Sequence, residues 1–435
     1  MKGQKLWVKA KNIIPGGNQL LSKRAERFLP DLWPSYYQKA KGCEVWDLDG
    51  NHYYDFTGMG VCSCILGYAD DDINAAVINA INSGSMCTLN CYEEVELAER
   101  LLSLHPWAGM VRFSKTGGEA CAIAIRIARA ASGRSKVAFC GYHGWHDWYL
   151  AANLGDSANL DGQLLPGLKP LGVPRELVNS AIPFNYNRIE ELEALAEKYG
   201  KEIGVIIMEP MRNSFPEKNF LHEVRRIAHE LDAVLIFDEI TVGFRMVQGG
   251  AHLHLGVEPD IAVFGKALGN GYPIAAVIGR REVMDYAQET FISSTLWTER
   301  IGFSAGLATL GKIERCNVIE RINHYGERIV SGWKEIAEKN GLDIHVGGIP
   351  SLCHLSFNCD KPLEVQTLYA QEMLARGYLV GASVGVTYAF TDEIIDQFIS
   401  DSDAVFEIIK ETMDSGNVRQ YLKGEVIDFG FQRLT

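Results

Sequence analysis

The stretch "FLHEVRRIAHELDAVLIFDE", residues 220–239, joins a helix pattern to a strand pattern. Its first part has apolar residues at helical spacing, and its second part is a continuous apolar run that ends in Asp238 and Glu239. A continuous run of this length is typical of a parallel strand that is covered on both faces. The stretch therefore predicts one helix-and-strand unit of an α/β sheet.

Units of the same kind continue on both sides of this stretch. From about residue 70 to residue 310, short apolar runs alternate with helix patterns such as "RIEELEALAEKYG". The runs are "KVAFC", "GVIIMEP", "IAVFG" and "AAVIGR". This alternation predicts an α/β fold with a mostly parallel sheet covered by helices.

The chain has 435 residues, a length that predicts more than one domain. We expect residues 66–315 to form a large domain that carries the sheet. Residues 1–65 are predicted to form a helix and a β-hairpin around Asp49-Gly50, and residues 316–435 a smaller α+β domain that packs with them. The long loop of residues 153–183 is rich in Gly and Pro, and a gate over a site is one explanation for it.

Composition excludes several classes of function. The formal net charge is −13 and no basic block occurs, so a nucleic-acid partner is not expected. The N-terminus has no apolar stretch long enough for a signal peptide or a membrane helix. The ten cysteines show no paired framework, and Cys62/Cys64 and Cys87/Cys91 lack the second half of a zinc site. We therefore expect a cytoplasmic protein with reduced thiols and without membrane partners.

Ligands of parallel sheets bind at the carboxyl ends of the strands, and three segments place polar residues there. In "RFSKTGGEACAIAIRIAR", Thr116, Gly117 and Gly118 precede a helix pattern, and backbone N–H groups at such a helix start can bind a phosphate. An ordinary helix cap is the alternative at this position.

The second and third segments carry charged groups. Asp238 follows a buried run and needs a cationic partner, either a protonated ring nitrogen or a neighbour such as Arg245. Lys266 follows "IAVFG" and lies among small residues, where a desolvated amine can form a Schiff base. A phosphate site, a carboxylate and a lysine together indicate pyridoxal 5′-phosphate, which carries a phosphate, a pyridine nitrogen and an aldehyde. "GYHGWHDW" adds Tyr142 as a ring to stack on the pyridine, with His143 beside it.

The order and wording of these segments resemble the class III, fold-type I aminotransferases, and among them the glutamate-1-semialdehyde aminomutase-like branch. The resemblance extends from "IIPGG" and "WDLDGNHYYDF" to "TYAFTDEIIDQF" and so covers nearly the whole chain. It implies that Lys266 forms the internal aldimine and that Asp238 holds the pyridinium proton. It also implies that Tyr142 and Ile240 lie on the two faces of the ring.

The resemblance assigns the remaining cofactor-binding positions as well. Thr116, Gly117 and Gly118 would bind the phosphate, and Glu209 of "IIMEP" would lie near the Asp238 side of the pocket. Thr295 of "SSTLWTERIG" matches a threonine that reaches the phosphate of the neighbouring subunit. This match implies a homodimer with shared active sites.

Some positions depart from the aminomutase pattern. The usual "SGT" is here Thr116-Gly117-Gly118, which removes a hydroxyl at Gly118, and the segments "EPMRNSFPE" and "STLWTERIG" differ near the substrate. Arg212 in the first of these segments is a candidate for a substrate carboxylate or phosphate. The aromatic residues near these segments line a substrate pocket or simply pack; they are Trp145, Trp148, Tyr149 and Trp297.

The sequence thus predicts a homodimeric pyridoxal-phosphate-dependent aminotransferase. It would move an amino group from an amino-acid donor, for which the resemblance implies glutamate, to an aldehyde or keto acceptor, with Lys266 also acting as general base. An aminomutase of the glutamate-1-semialdehyde type is the alternative. A metal-dependent hydrolase that uses the histidine pairs is the rival from another class. These pairs are His143/His146 and His252/His254.

Overall fold

The computed structural model describes residues 1–211, 213–217, 219–431 and 434. They form two compact units, of which unit 1 is Met1–Asp70 with Glu320–Thr435 and unit 2 is Asp71–Ile319. No helix in this described part combines the length and apolar character that a membrane crossing needs.

The described residues contain fourteen strands. In chain order they are β1 (Tyr37–Lys41), β2 (Glu44–Asp47), β3 (His52–Phe56), β4 (Met110–Ser114), β5 (Lys136–Cys140), β6 (Ala181–Pro183), β7 (Ile203–Met208), β8 (Val234–Asp238), β9 (Ile261–Phe264), β10 (Ala275–Gly279), β11 (Ile344–Ile349), β12 (Leu352–Phe357), β13 (Tyr378–Val380) and β14 (Ser383–Gly385).

The helices range from single turns to elements of more than twenty residues. They are α1 (Lys2–Ile13), α2 (Met59–Cys62), α3 (Asp71–Asn82), α4 (Glu93–Leu104), α5 (Gly117–Ser132), α6 (Asp147–Leu150), α7 (Ala152–Gly155), α8 (Ile189–Tyr199), α9 (Phe220–Glu230), α10 (Ala251–Leu255), α11 (Arg281–Met284), α12 (Arg300–Arg315), α13 (Val318–Asn340), α14 (Pro362–Ala375) and α15 (Asp392–Asp414).

Unit 2 is built on a seven-stranded sheet in the order β4-β10-β9-β8-β7-β5-β6. The pairs from β9 through β8, β7 and β5 to β6 are parallel, and β10 is antiparallel to both of its neighbours. The prediction of an α/β fold with a mostly parallel sheet is confirmed. The opening stretch forms α9 and β8, as its pattern predicts.

Alternating side chains of the strands pack on the two faces of this sheet. Val205 and Ile207 of β7 pack with the apolar residues of α5, whereas Ile206 and Met208 pack with those of α8 and α9. Because successive side chains of a strand point to opposite faces, a strand covered by helices on both sides must be apolar at every position. This explains why the strands appear in the sequence as unbroken apolar runs.

Unit 1 combines the two ends of the chain. Its four-stranded sheet has the order β1-β2-β3-β13, and β13 from the C-terminal segment pairs in parallel with β3. A second sheet has the order β11-β12-β14. The hairpin of β2 and β3 is held at its turn by Asp47, whose carboxylate accepts hydrogen bonds from the backbone N–H groups of Asp49 and Asn51.

Candidate active site

Four neighbouring parallel strands of unit 2 end at the same edge of the sheet. These strands are β5, β7, β8 and β9, and the chemically active residues of the sequence prediction stand at or just after their carboxyl ends. Tyr142 and His143 follow β5, Glu209 follows β7, Asp238 ends β8 and Lys266 follows β9. The parallel topology therefore brings together residues that are far apart in the sequence.

Asp238 is a buried acid at this edge, with 4% of its surface exposed. Its Oδ2 lies 2.8 Å from Nδ1 of His143 and 3.3 Å from Sγ of Cys121. Its Oδ1 accepts the backbone N–H of Ile240 at 3.1 Å. A buried carboxylate is stable only with such partners, and each oxygen of Asp238 has at least one.

His143 has an acceptor on each side of its ring. Its Nε2 lies 3.2 Å from the carbonyl oxygen of Cys140, which can only accept, and its Nδ1 lies against the Asp238 carboxylate. Both ring nitrogens of His143 therefore have an oxygen within hydrogen-bond distance, and the ring is fixed between the Asp238 carboxylate and the end of β5.

Lys266 stands in a backbone conformation that is uncommon for a residue with a side chain. Its φ is 43°, in the left-handed region, directly after Gly265 at the end of β9. Its Nζ donates to Oγ1 of Thr241 at 2.9 Å. Left-handed residues that are not glycine often mark functional sites, since the surrounding structure must hold them there. The amine of Lys266 is thus directed toward the segment that follows Asp238.

Thr116, Gly117 and Gly118 form the start of α5. Oγ1 of Thr116 accepts the N–H of Glu119, and the Glu119 carboxylate accepts the N–H groups of Lys115 and Thr116, which is a capping box. The ordinary helix cap, which the sequence analysis gave as the alternative at this position, is therefore present. It leaves the N–H groups of Gly117 and Gly118 in the first helical turn, where no intrahelical acceptor exists and an anion can bind.

Ile240 lies against both the start of α5 and the end of β9. A methyl group added at Gly117 would stand 2.9 Å from Cδ1 of Ile240, and one added at Gly265 would stand 3.4 Å from its Cγ2. The structure therefore places Ile240 between the turn before α5 and the residue that precedes Lys266.

Tyr142 and Glu209 are joined by a backbone hydrogen bond. The N–H of Tyr142 donates to Oε2 of Glu209 at 3.2 Å, and the partly exposed Tyr142 ring meets the Tyr149 ring edge-on at 6.1 Å. Burial raises the pKa of the Tyr142 hydroxyl, and the negative charges of Asp238 and Glu209 raise it further. The Tyr142 side chain is therefore held as a neutral phenol.

The segment after Tyr142 packs on the start of α5. A methyl group added at Gly144 would stand 2.8 Å from Cα of Gly118, and one added at Gly118 would stand 3.2 Å from the His146 ring. The His146 ring stacks on Trp145, which is 69% exposed. Trp148 and Tyr149 are buried, and Tyr149 donates to the carbonyl of Gly141, so both belong to the packing beneath this segment.

Thr295 lies in the turn Thr295–Thr298, which is exposed at this position. Within the same turn, Nε1 of Trp297 donates to Glu119 at 3.4 Å. The turn is thereby attached to the start of α5 in its own chain. The predicted role of Thr295 concerns a second subunit and stays a prediction.

The histidine pairs of the rival interpretation separate in the structure. Nδ1 of buried His252 donates to Glu239 and its Nε2 accepts the indole N–H of Trp107, whereas His254 is exposed. His143 is engaged with Asp238, while His146 stacks on Trp145. Within the described residues, the side chains that could together hold a metal ion are those of Cys121, His143 and Asp238. Their potential ligand atoms all lie within 4.8 Å of one another.

Sequence reasoning missed three contacts of this edge, those of Thr241, Cys121 and Gln163. The side-chain oxygen of Gln163, from the predicted loop, accepts the N–H of Gly141, and its amide donates to the carbonyl of Phe184. Hydroxyl, thiol and amide side chains are common in turns, helices and loops, so the sequence gives no signal of the contacts that these three residues make across the fold. Arg212, the candidate for a substrate anion, lies outside the described residues.

Comparison with known proteins gives one family and several close relatives. The sequence model described as "Aminotransferase class-III" matches residues 30–405. The 3-aminobutyryl-CoA aminotransferase of Cloacimonas acidaminovorans is 33% identical over 83% of this chain and 84% of that protein. The glutamate-1-semialdehyde 2,1-aminomutase of Methanococcoides burtonii is 34% identical over 84% of this chain and 86% of that protein.

A solved structure shows the same fold. The FumI protein of Sphingopyxis sp. MTA144, solved as its PLP internal aldimine form, superposes with a TM-score of 0.86 at 24% identity. The match covers 97% of this chain and 100% of that one.

Proposed function

Because this chain belongs to the class-III aminotransferase family and uses pyridoxal 5′-phosphate, we propose that it moves an amino group from an amino-acid donor to an aldehyde or keto acceptor. The observation that carries the proposal is the hydrogen bond from Lys266 to Thr241, three residues after the buried Asp238 at the end of β8. Asp238 in turn contacts Cys121 of α5, the helix that begins at Gly117. Glutamate is the proposed donor. Family membership confirms the predictions of class, fold type and cofactor.

The residues at this edge fit the three groups of the cofactor. The buried Asp238 carboxylate suits a protonated pyridine nitrogen, the Lys266 amine suits the aldehyde, and the N–H groups of Gly117 and Gly118 suit the phosphate. A methyl group added at Gly117 would stand 2.9 Å from Cδ1 of Ile240, so a larger residue at this position would displace the Ile240 side chain. We propose these four residues, with Thr116, Tyr142, His143, Glu209, Ile240 and Thr295, as the cofactor site.

When bound, the cofactor supplies an aldehyde that accepts the amino group and a ring that withdraws electrons from the substrate carbon. The protein supplies the proton handling. Lys266 is the proposed general base for the substrate C–H proton, and Thr241 orients its amine. Asp238 is proposed to hold the pyridinium proton, and the contact of His143 with Oδ2 of Asp238 orients this carboxylate.

The experiment that tests this proposal compares the wild type with Lys266→Ala. The wild-type protein should show a visible cofactor band that changes when glutamate is added, and borohydride reduction should fix the cofactor mass on the peptide that contains Lys266. Lys266→Ala should lose the fixed mass and turnover. A fully active Lys266→Ala variant would exclude the proposed role of this lysine.

An aminomutase is the second candidate, because relatives at 34% identity carry that activity in their names. The two reactions differ in stoichiometry: an aminotransferase needs a separate acceptor, whereas an aminomutase moves the amino group within one molecule. Glutamate-1-semialdehyde as sole substrate separates them. Its complete conversion without a second substrate would favour the aminomutase, and dependence on an added acceptor would favour the aminotransferase.

We also propose that the active form is a homodimer with shared sites. Phe291 and Leu296 lie close to Thr295 in the sequence, and both side chains are strongly exposed, at 85% and 63%. A contiguous patch of exposed apolar side chains is typical of an interface. Replacement of Leu296 by Asp should shift the protein toward monomer in sedimentation experiments, and an unchanged dimer would place the interface elsewhere.

A cytoplasmic location is proposed from the cysteines. All ten are free thiols, and five of them are at least partly exposed: Cys62, Cys87, Cys91, Cys316 and Cys359. Free thiols in this number are typical of a reducing compartment. Localisation of a fluorescent fusion in the source cell would test this proposal.

A further inference from the structure

Cys121 is a buried thiol that has no assigned role and that contacts the central carboxylate of the site. It lies in the second turn of α5 with no exposed surface, and its Sγ stands 3.3 Å from Oδ2 of Asp238. The same oxygen lies 2.8 Å from Nδ1 of His143. Oδ1, in contrast, receives the backbone N–H of Ile240 at 3.1 Å.

The thiol acts as a donor in this contact. Burial raises the pKa of Cys121 well above its usual value, and the negative charge of Asp238 raises it further. The group therefore stays protonated, so that its S–H can donate to the carboxylate, and it is a poor nucleophile. Both contacts on the Oδ2 side thus come from donors, one thiol and one imidazole.

We propose that Cys121 is a positioning residue for the cofactor. Together with His143 it holds Oδ2, which fixes the plane of the Asp238 carboxylate and leaves Oδ1 to meet the proton of the pyridine nitrogen. This inference rests on the proposed function, because it gives the carboxylate a cofactor partner. Since Cys121 and the N–H groups of Gly117 and Gly118 belong to one helix, α5 holds both the phosphate end and the carboxylate of the site.

The position of Cys121 also explains why a thiol is suited to it. The neighbouring residues of α5, Ala120 and Ala124, are fully buried against the sheet, so the side chain must be small and largely apolar. A thiol satisfies both demands, because it packs as a small apolar group and still carries one weak donor.

The test uses Cys121→Ala and Cys121→Ser, with Cys353→Ala as the control for loss of a buried thiol. Cys353 is fully buried in β12 of unit 1. Two quantities are measured for each purified variant. The first is the dissociation constant of pyridoxal 5′-phosphate, from quenching of tryptophan fluorescence when the cofactor is added to the apoprotein. The second is the pH midpoint of the visible band of the cofactor-bound protein. Thermal unfolding of the apoproteins reports the cost of packing separately.

We expect Cys121→Ala to weaken cofactor binding about five-fold, the ratio that corresponds to one ordinary hydrogen bond. The pH midpoint should shift in Cys121→Ala and not in Cys353→Ala. Cys121→Ser keeps a donor and should bind the cofactor more tightly than Cys121→Ala. If the role is only packing, Ser will be no better than Ala, since both shorten the side chain and Ser buries a hydroxyl.

The outcomes separate this inference from the proposed function. A wild-type protein that gives no cofactor band and no quenching would contradict the proposed function itself. A wild type that binds the cofactor, with Cys121→Ala equal to it in affinity and midpoint, would contradict the role of Cys121 alone. If Cys121→Ala does not fold, Cys121→Val replaces it, because valine removes the donor and keeps an apolar side chain. An affinity and midpoint in that variant equal to those of the wild type also overturn the proposal.

Discussion

Thr241 is the residue that holds the amine of Lys266. Its Oγ1 accepts the Nζ–H at 2.9 Å, three residues after Asp238. Thr241→Val keeps the shape of the side chain and removes the acceptor. We expect a loss in kcat/KM of about five-fold, because an ordinary hydrogen bond contributes about 1 kcal/mol.

Thr241→Ser serves as the matched control, since it keeps the hydroxyl. Its kcat/KM should stay within about two-fold of the wild type, as expected when the acceptor is retained. Steady-state kinetics with glutamate and a suitable keto acceptor measure both variants. A Val variant as active as the Ser variant would show that the contact with Lys266 does not matter for turnover.

The two charged residues of the candidate site are suggested by the sequence, but the contacts that surround them are not. Asp238 and Lys266 each follow an apolar run, and a charge at the end of a buried strand is unusual enough to attract attention. Thr241 and Cys121 are ordinary residues in a turn and a helix, and only the meeting of α5, β8 and β9 gives them their contacts. These contacts join segments that are far apart in the chain, so a local sequence pattern cannot predict them.

At the level of elements, the capping box is the feature that shapes the start of α5. Thr116 and Glu119 exchange hydrogen bonds between side chain and backbone. Thr116→Ala should lower the free energy of unfolding by about 1 kcal/mol, which is the usual effect of losing a helix cap. Urea unfolding of the apoprotein, followed by circular dichroism, measures this loss.

Glu119→Gln tests the reciprocal half of the same box. Glutamine can replace glutamate in a capping box, so unfolding should change by no more than about 0.5 kcal/mol. A loss in Glu119→Gln as large as that in Thr116→Ala would mean that the charge of Glu119 stabilises this helix start in addition to the hydrogen-bonded cap.

Most elements of the large unit could be predicted, whereas strand direction and the shortest elements could not. The runs "KVAFC", "GVIIMEP" and "IAVFG" form β5, β7 and β9. "AAVIGR" forms β10, which is antiparallel to both neighbours, and an apolar run is the same in either direction. The strand β6 has three residues, too few to produce a pattern against a loop rich in Gly and Pro.

At the level of the whole molecule, a buried imidazole makes stability depend on pH. His105 is fully buried, donates from Nδ1 to the carbonyl of Leu101 and accepts the N–H of Gly250 at Nε2. Burial lowers its pKa to about 4. The unfolded chain, in which a histidine titrates near pH 6.5, therefore binds about one more proton than the folded chain between these two values.

This difference fixes the sign of the effect. Stability contributed by neutral His105 is fully present above about pH 6.5 and falls as the pH is lowered toward 4, by at most about 1.4 kcal/mol per pH unit. His105→Asn should be less stable at pH 7 and should show a shallower loss between pH 7 and pH 5. His254→Asn, at an exposed position of α10, should keep the wild-type slope in denaturant unfolding. Equal slopes in the His105→Asn variant and the wild type would contradict the effect.

The sharing of residues between subunits is the last property that belongs to the whole molecule, and mixed dimers can test it. If Thr295 acts on the cofactor phosphate of the neighbouring subunit, a dimer of one Lys266→Ala chain and one Thr295→Ala chain contains one complete site. That site combines Lys266 of the second chain with Thr295 of the first. If Thr295 acted within its own chain, the same dimer would contain no complete site.

Co-expression of the two variants with different tags, followed by two-step purification, yields the mixed dimer for measurement. At a cofactor concentration that limits the Thr295→Ala homodimer, we expect the mixed dimer to reach about half of the wild-type turnover, because one of its two sites is complete. Activity no higher than that of the Thr295→Ala homodimer would assign Thr295 to its own chain. In that case the contact of Trp297 with Glu119, which joins the Thr295 turn to the start of α5, would be the structural basis for a role within one subunit.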